Sequence, residues 1–368
     1  MRMKKMFLFL SLAVSVSLWA AAPTKVQVYD RPDGGFIAVD ETGEIVAISD
    51  PGALTSLSDE MRSAWRSLGF EPQLTHQQAP AHIMRATAET LDSIGPLLGN
   101  IRQHQNAPYN NMTPMIAGQH CVTGCVATAM ASIMTFWQHP KKCYGSMNYK
   151  TSSGRTISES FEGFEPDWNS ILPNYEQEYT EAQGNAIAQL VYYCGVAVEM
   201  DYGTDGSGTQ SELVPDALYR HFDFSIDATM VYKADYTDSQ WFNLIKSNLQ
   251  ADRPLFASSK QQSGSGHAYV LDGCKISKTS TRTRYYYHYD WGWGGFQNGW
   301  YLTPKTEDID LTYNQGVIVD IYPSGYTADP QVMMDNTDAP VFDILGRRVS
   351  ELTPGQIYIQ NGHKFMAR

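Results

Sequence analysis

The sequence predicts an α+β protein in which helices come first and strands follow. Three observations predict this class: a strongly apolar helical run from Cys125 to Trp137, two further helical segments between Glu181 and Pro254, and five strand-like segments crowded between Pro254 and Pro323. The 368-residue chain is too long for one small core, so two or three folding units are expected. With a net charge of -12 it offers no basic surface to neutralise phosphates, which excludes nucleic acid as a partner.

The first 22 residues place Arg2, Lys4 and Lys5 before an apolar stretch that ends in Ala20-Ala21-Ala22. That is the pattern of a cleaved secretory signal, and the apolar run is shorter than the roughly 20 residues a membrane span needs. No later segment reads as transmembrane, so stable membrane insertion is not expected. Export would bring the chain to a compartment that permits disulfides, yet five cysteines leave at least one thiol unpaired.

Residues 23–95 read as a separate small α+β unit. Apolar and polar residues alternate through VQVYDRPDGGFIAVDETGEIVAISD between turns at Pro32-Asp33-Gly34-Gly35 and Thr42-Gly43-Glu44, the signature of an antiparallel meander. SLSDEMRSAWRSLGF follows, with Met61, Ala64, Trp65 and Leu68 at helical spacing. A polar connector, QLTHQQAPAH, then leads to a second expected helix, MRATAETLDSIGPLLGN.

Residues 96–325 carry the main domain. After an irregular opening the Cys125 helix begins, preceded by the Thr123-Gly124 turn and followed by Pro140. Helices are expected over 181–198 and over DSQWFNLIKSNLQADRP, stopping before Pro254, and strands over PLFASS, HAYVLDGCKI, TRYYYHYDW, GWYLT and QGVIVDIYP. Residues 326–368 form a linker and a short tail of two or three strands, too small for a deep core of its own.

The motif GQHCVTGCVATAM contains two cysteines, and only Cys125 falls at a helix N-terminus, where free amides and the helix dipole lower a thiol pKa. A cysteine beside an apolar helix is commonly just a small buried hydrophobe, so a nucleophile also needs a histidine delivered from elsewhere. His267 follows Ser263-Gly264-Ser265-Gly266 at the entrance of a strand, at a separation from Cys125 that matches papain-like peptidases. Asp290 ends a tyrosine-rich strand that can return beside His267 as a hairpin. There its carboxylate would accept the Nδ1 proton and orient the ring.

Together GQHCVTGCVATAM, VEMDYGTDGSG, SGHAYVLDG and YYHYDWGWGG, in this order over residues 100–325, resemble the streptopain family of papain-like cysteine peptidases. The resemblance implies a papain-like catalytic domain, Cys125 as nucleophile, His267 as its acid–base partner, and polypeptide substrates with an apolar residue at P2. It implies that Gln105, in QNAPYN, joins the Cys125 amide in the oxyanion hole, and that Trp291 shields the histidine from water. It further implies that 23–95 is an inhibitory prodomain bound within the same molecule, cleaved from it somewhere in residues 84–100. Where that family carries asparagine this chain has Asp290, whose charge would raise the imidazolium pKa. No metal or other cofactor is implied.

The tail FDILGRRVSELTPGQIYIQNGHK resembles the sorting segments of type IX secretion, which implies a secretion machinery as partner and a secreted or surface location. Three competing readings are a metal site at His120, Cys121 and Cys125, a non-catalytic surface binder or peptidase inhibitor that keeps the fold, and a thiol acyltransferase. The first lacks a paired CxxC or HExxH pattern, and a pure binder has no reason to retain nucleophile, histidine and orienting residue together.

Overall fold

A computed structural model of the chain describes residues 24–31, 35–40, 45–50, 70–78, 92–260, 266–278, 283–296, 298–302, 313–326, 341–343, 348–349, 357–360 and 363–366. The signal-like segment, the helix expected over 56–69 and the Ser263–Ser265 approach to His267 lie outside them.

The N-terminal meander forms as its alternation predicts: β1 (Thr24–Asp30), β2 (Phe36–Asp40) and β3 (Ile45–Ser49) pair antiparallel in sequence order. The connector expected after it is instead a strand, β4 (Phe70–Gln78), parallel to β1. The described end of the second expected helix is likewise a strand, β5 (Asp92–Ile94), paired with the catalytic sheet. In both places tertiary pairing overrides the local pattern.

Two small hairpins, β6 (Met115–Ile116) with β7 (Gln119–His120) and β8 (Ser146–Lys150) with β9 (Thr156–Ser160), flank the first described helix, α1 (Cys125–Trp137). Helices α2 (Glu181–Ala197), α3 (Val214–Phe222) and α4 (Asp238–Gln250) follow. The nine-residue α3, with Pro215 in its first turn, escaped the periodicity reading because it is only two and a half turns long.

The strands β10 (Thr229–Tyr232), β11 (Leu255–Lys260), β12 (Gly266–Lys278), β13 (Thr283–Asp290), β14 (Gly299–Leu302) and β15 (Tyr313–Val319) build the sheet, in the order β10-β15-β11-β12-β13-β14. Their alternation divides the core. Phe256, Ala268, Val270 and Ile318 face α1, α2 and α3, while Leu255, Ala257, Tyr269, Leu271 and Val317 face Trp241, Phe242, Ile245 and Leu249 of α4. Of the thirteen residues of α1, Val126 to Thr135 are all buried, so this helix is the central post of the domain. Each fully buried Ile or Met there contributes about 1.5–3 kcal/mol relative to exposure. The tail is a separate four-stranded sheet of β16 (Val341–Asp343), β17 (Arg348–Val349), β18 (Ile357–Gln360) and β19 (His363–Met366). Among the described residues no helix is long and apolar enough to cross a membrane.

The sheet continues past β14 into the N-terminal unit, because β3 pairs with β14 through Ser49–Gly299, Ile48–Trp300 and Ala47–Tyr301. Gly299 makes this approach possible: a Cβ there would stand 2.4 Å from the Ile48 carbonyl oxygen. A buried charge cluster reinforces the seam. His288 Nδ1 lies 2.5 Å from Asp272 Oδ1, and its Nε2 lies 3.1 Å from Asp50 Oδ1 of the N-terminal unit. Burial opposes charge on this imidazole, but the two carboxylates outweigh it and push its pKa up to about 10.

Replacing His288 with Ala strands two carboxylates without their counter-charge and should cost about 3–5 kcal/mol. Because the folded pKa is raised, the imidazolium's contribution is complete below the ordinary histidine value and is lost as pH rises toward 10. Denaturant unfolding of wild type and His288→Ala at pH 6 and pH 10 is expected to show the difference shrinking at the higher pH.

Candidate active site

The site begins with how α1 starts. α2 and α4 open with capping boxes in which Thr180 and Thr237 accept from the backbone of Gln183 and Gln240. α1 has no such cap: Gly124 precedes it with φ 85° and supplies no side-chain cap hydrogen bond. Any other residue at Gly124 would strain the backbone and press its Cβ to 2.7 Å from Met200 Sδ. The uncapped amides leave the helix N-terminus open to an anion, and Cys125 is the first helical residue.

β12 delivers the partner. His267, one residue inside that strand, is a hydrogen-bond partner of the Cys125 thiol. Burial by itself raises the Cys125 pKa, but the hydrogen bond and charge of His267, with the amides of Ala268 and Val126, bring it below the ordinary thiol value. Burial also disfavours imidazolium at His267, and the Cys125 sulfur and the Trp291 carbonyl reverse that, raising its pKa. The two opposite shifts both favour transfer of the thiol proton to the imidazole. Cys121 and Cys274 are buried, and the thiols of Cys121, Cys143 and Cys194 are pushed up by burial, Cys143 to about 12.

The hairpin expected between the strands of His267 and Asp290 forms, with Val270 opposite Asp290. The expected direct bond from Asp290 to His267 does not. His267 Nε2 lies 3.0 Å from the Trp291 carbonyl oxygen, whereas Asp290 Oδ1 accepts from the Gly292 amide at 2.9 Å. A carbonyl only accepts, so Nε2 carries the proton and Nδ1 is left for the thiol. The reason lies in the strand: Asp290 is the last residue of β13 and its side chain turns into the core, while the backbone one residue later reaches the histidine.

Trp291 is 3% exposed and stacks at 5.6 Å on Trp293, with the His267 ring 6.0 Å from Trp291 and 4.9 Å from Trp293. Gln105 lies with Cys125 and His267 along one open cleft of about 870 Å³, and its carbonyl accepts the Thr123 amide at 3.1 Å, tying it to the nucleophile turn. The cleft walls include Tyr109, Val122, Tyr175, Trp293 and Phe296, with Asp205, Gly206 and Ser207 beside the Cys125 turn. The structure thus gathers Cys125, His267, Gln105 and Trp291, and sets the Asp290 carboxylate behind them. His120 and Cys121 do not join Cys125 as ligands: His120 Nδ1 bonds to the Thr113 carbonyl, and among the described residues no three His, Cys, Asp or Glu side chains are arranged to hold a metal.

Sequence reasoning missed the Trp291 carbonyl and Asn298, whose Oδ1 accepts the Trp291 amide at 3.2 Å. A backbone carbonyl leaves no residue-type signature, and Asn298 in QNGW reads as an ordinary turn residue.

The model of the Peptidase C10 family matches residues 103–301, which contain every residue just placed in the cleft around Cys125 and His267. The chain belongs to the Peptidase C10 family. This C10 chain is 28% identical over 278 residues to streptopain of Streptococcus pyogenes, covering 68% of each. It is 28% identical over 205 residues to the thiol protease/hemagglutinin PrtT of Porphyromonas gingivalis, covering 53% of this chain and 23% of that one. Among solved structures it is similar to active wild-type interpain A, a cysteine protease of Prevotella intermedia, at 31% identity and a TM-score of 0.55, covering 64% of this chain and 97% of that one. A prointerpain A fragment from the same organism shares the fold at 24% identity and a TM-score of 0.61, covering 81% of this chain and 99% of that one. The protein is a cysteine peptidase with a papain-like α+β fold.

Removing the imidazole should leave burial to dominate the Cys125 thiol. In His267→Ala, alkylation of Cys125 by iodoacetamide is expected to slow at least tenfold at pH 6.5, with its midpoint moved above the ordinary thiol value of about 8.5. The rate of alkylation against pH, read by peptide mass mapping, checks both.

Proposed function

We propose that the chain is an exported cysteine endopeptidase made as a latent zymogen, with Cys125 as nucleophile and His267 as acid–base partner. The observation that carries this reading is the thiolate–imidazolium pair at an uncapped helix N-terminus, opening onto a cleft that fits an extended polypeptide. The Cys125 sulfur attacks the scissile carbonyl carbon, and the carbonyl oxygen takes up the negative charge. The Gln105 side-chain amide and the Cys125 backbone amide donate to that oxyanion. As the C–N bond breaks, the His267 Nδ1 proton passes to the leaving amine, and water then hydrolyses the thioester with His267 as base. Trp291 and Trp293 keep water from the Nε2 side of the ring. The apolar walls at Tyr109 and Val122 support a preference for an apolar P2 side chain.

Latency is assigned to residues 23–95, which cover the β14 edge through β3 and contribute Asp50 to the His288 cluster. β5 pairs with β12, and Leu98 donates its amide to Asp272, so the maturation cut falls ahead of Asp92 rather than within 92–98. Export follows from the N-terminal signal pattern, and passage through type IX secretion from the tail; the tail's own small sheet is compatible with an appended sorting unit.

The deciding experiment compares the full chain with Cys125→Ala, under reductant, on casein and on a fluorogenic peptide with an apolar P2 residue. Wild type should shorten from its N-terminal side and gain alkylator-sensitive activity, while Cys125→Ala stays whole and inactive; equal behaviour of the two overturns the assignment. Gln105→Ala should lower kcat by about 10²–10³-fold with little change in KM, because the oxyanion exists only in and around the transition state.

A further inference from the structure

Asp290 is 2% exposed, and its carboxylate does not line the cleft. Its Oδ1 accepts the Gly292 amide at 2.9 Å, and Oδ2 is buried with no hydrogen-bond partner. A carboxylate kept in the interior with half its acceptor capacity unused is costly unless its charge serves something. The position of the Gly292 hydrogen bond points to what it serves. The Gly292 N–H and the Trp291 C=O belong to the same planar peptide group, and the Trp291 oxygen is the atom that accepts from His267 Nε2 at 3.0 Å. A chain of two hydrogen bonds therefore runs from the Asp290 carboxylate through one peptide group to the imidazole.

We propose that Asp290 is a positioning residue that acts on His267 through the Trp291–Gly292 peptide: its anionic carboxylate fixes and polarises that peptide, making the Trp291 oxygen a stronger acceptor and holding His267 as imidazolium. Successive hydrogen bonds in a low-dielectric interior polarise one another, and a charge at one end strengthens the whole chain. Asparagine would close the same turn onto the Gly292 amide but supply no charge. This deepens the cysteine-peptidase reading above and rests on it.

The carboxylate's own titration gives the relay a signature. Burial and the Asp272 charge on β12 raise the Asp290 pKa to about 7, against the Gly292 amide, the His288 imidazolium on its own strand and the neighbouring Asn298 side chain. The Tyr109 phenol faces it from the loop ahead of α1 and stays neutral across the working range. Below pH 7 Asp290 is neutral and electrically equivalent to asparagine; above it, the charge appears and supports the imidazolium.

Asp290→Asn and Asp290→Ala in the full chain test this by two readouts. In the first, the His267 imidazolium midpoint is followed by NMR on histidine-labelled protein, assigned with His267→Ala. Asp290→Asn should lower that midpoint by about one unit, the tenfold effect of one nearby charge. In the second, kcat and KM of self-processed enzyme are measured from pH 5 to 10. Asp290→Asn should match wild type within about twofold at pH 6 and fall to about one-tenth of it at pH 8.5, through kcat with KM unchanged. Asp290→Ala, which also loses the turn, should lose kcat at every pH. If Asp290→Asn tracks wild type in both readouts, or loses activity equally at all pH values, the carboxylate only closes the turn and the relay is overturned. Should Asp290→Ala fail to fold, Asp290→Asn still decides. The NMR midpoint needs no turnover, so a failed relay is distinguishable from a failed assignment of Cys125, which appears as activity surviving in Cys125→Ala.

Discussion

The contact between the Cys125 thiol and the His267 imidazole imposes the demands that the surrounding architecture meets. Charge on two half-buried groups is tolerable only where each meets its partners in fixed geometry. A lowered thiol pKa needs donors, which the first turn of α1 supplies; a raised imidazole pKa needs an acceptor, which the Trp291 carbonyl supplies. Both require a rigid backing. α1 is buried along almost its whole length, and β12 lies central in the sheet between β11 and β13, so neither partner drifts.

The capping pattern shows how the fold treats this helix differently. α2 and α4 each close their first turn with a threonine and a glutamine, satisfying the amides internally. α1 begins on a glycine in a positive-φ conformation and leaves those amides for function. The burial of the remaining helix compensates for the missing cap, worth about 1 kcal/mol, many times over. The same division recurs at the other end of the site, where the glycines of Gly292-Trp293-Gly294-Gly295 let the backbone fold tightly enough to put a carbonyl where a side chain was expected.

The N-terminal unit and the catalytic sheet share one continuous hydrogen-bonded structure. The β3–β14 seam and the Asp50–His288–Asp272 cluster couple the unit to strands that run directly into the catalytic loop, since β13 ends at Asp290. The N-terminal unit and the active-site geometry are therefore linked through β13 and β14.

Much of this was legible in the chain. The apolar run after Cys125, the alternation in the five later strands and the N-terminal meander are local patterns whose periods are set by backbone geometry, and the described elements follow them. The choice of Cys125 over Cys121 followed from a helix start, another local property. What the sequence alone could not decide depended on pairing across long distances. Residues 73–78 of the expected connector joined a strand because β1 was there to receive it, 92–94 left a helical pattern to pair with β12, and α3 was too short to announce itself. Asp290 has the chemistry to orient a histidine and sits on the right strand, yet the pleat sends its carboxylate inward and leaves a main-chain oxygen to meet the ring. Residue type determines which groups are available for catalysis; only tertiary structure decides which atom of which group arrives, because that depends on strand direction and turn geometry to within an ångström.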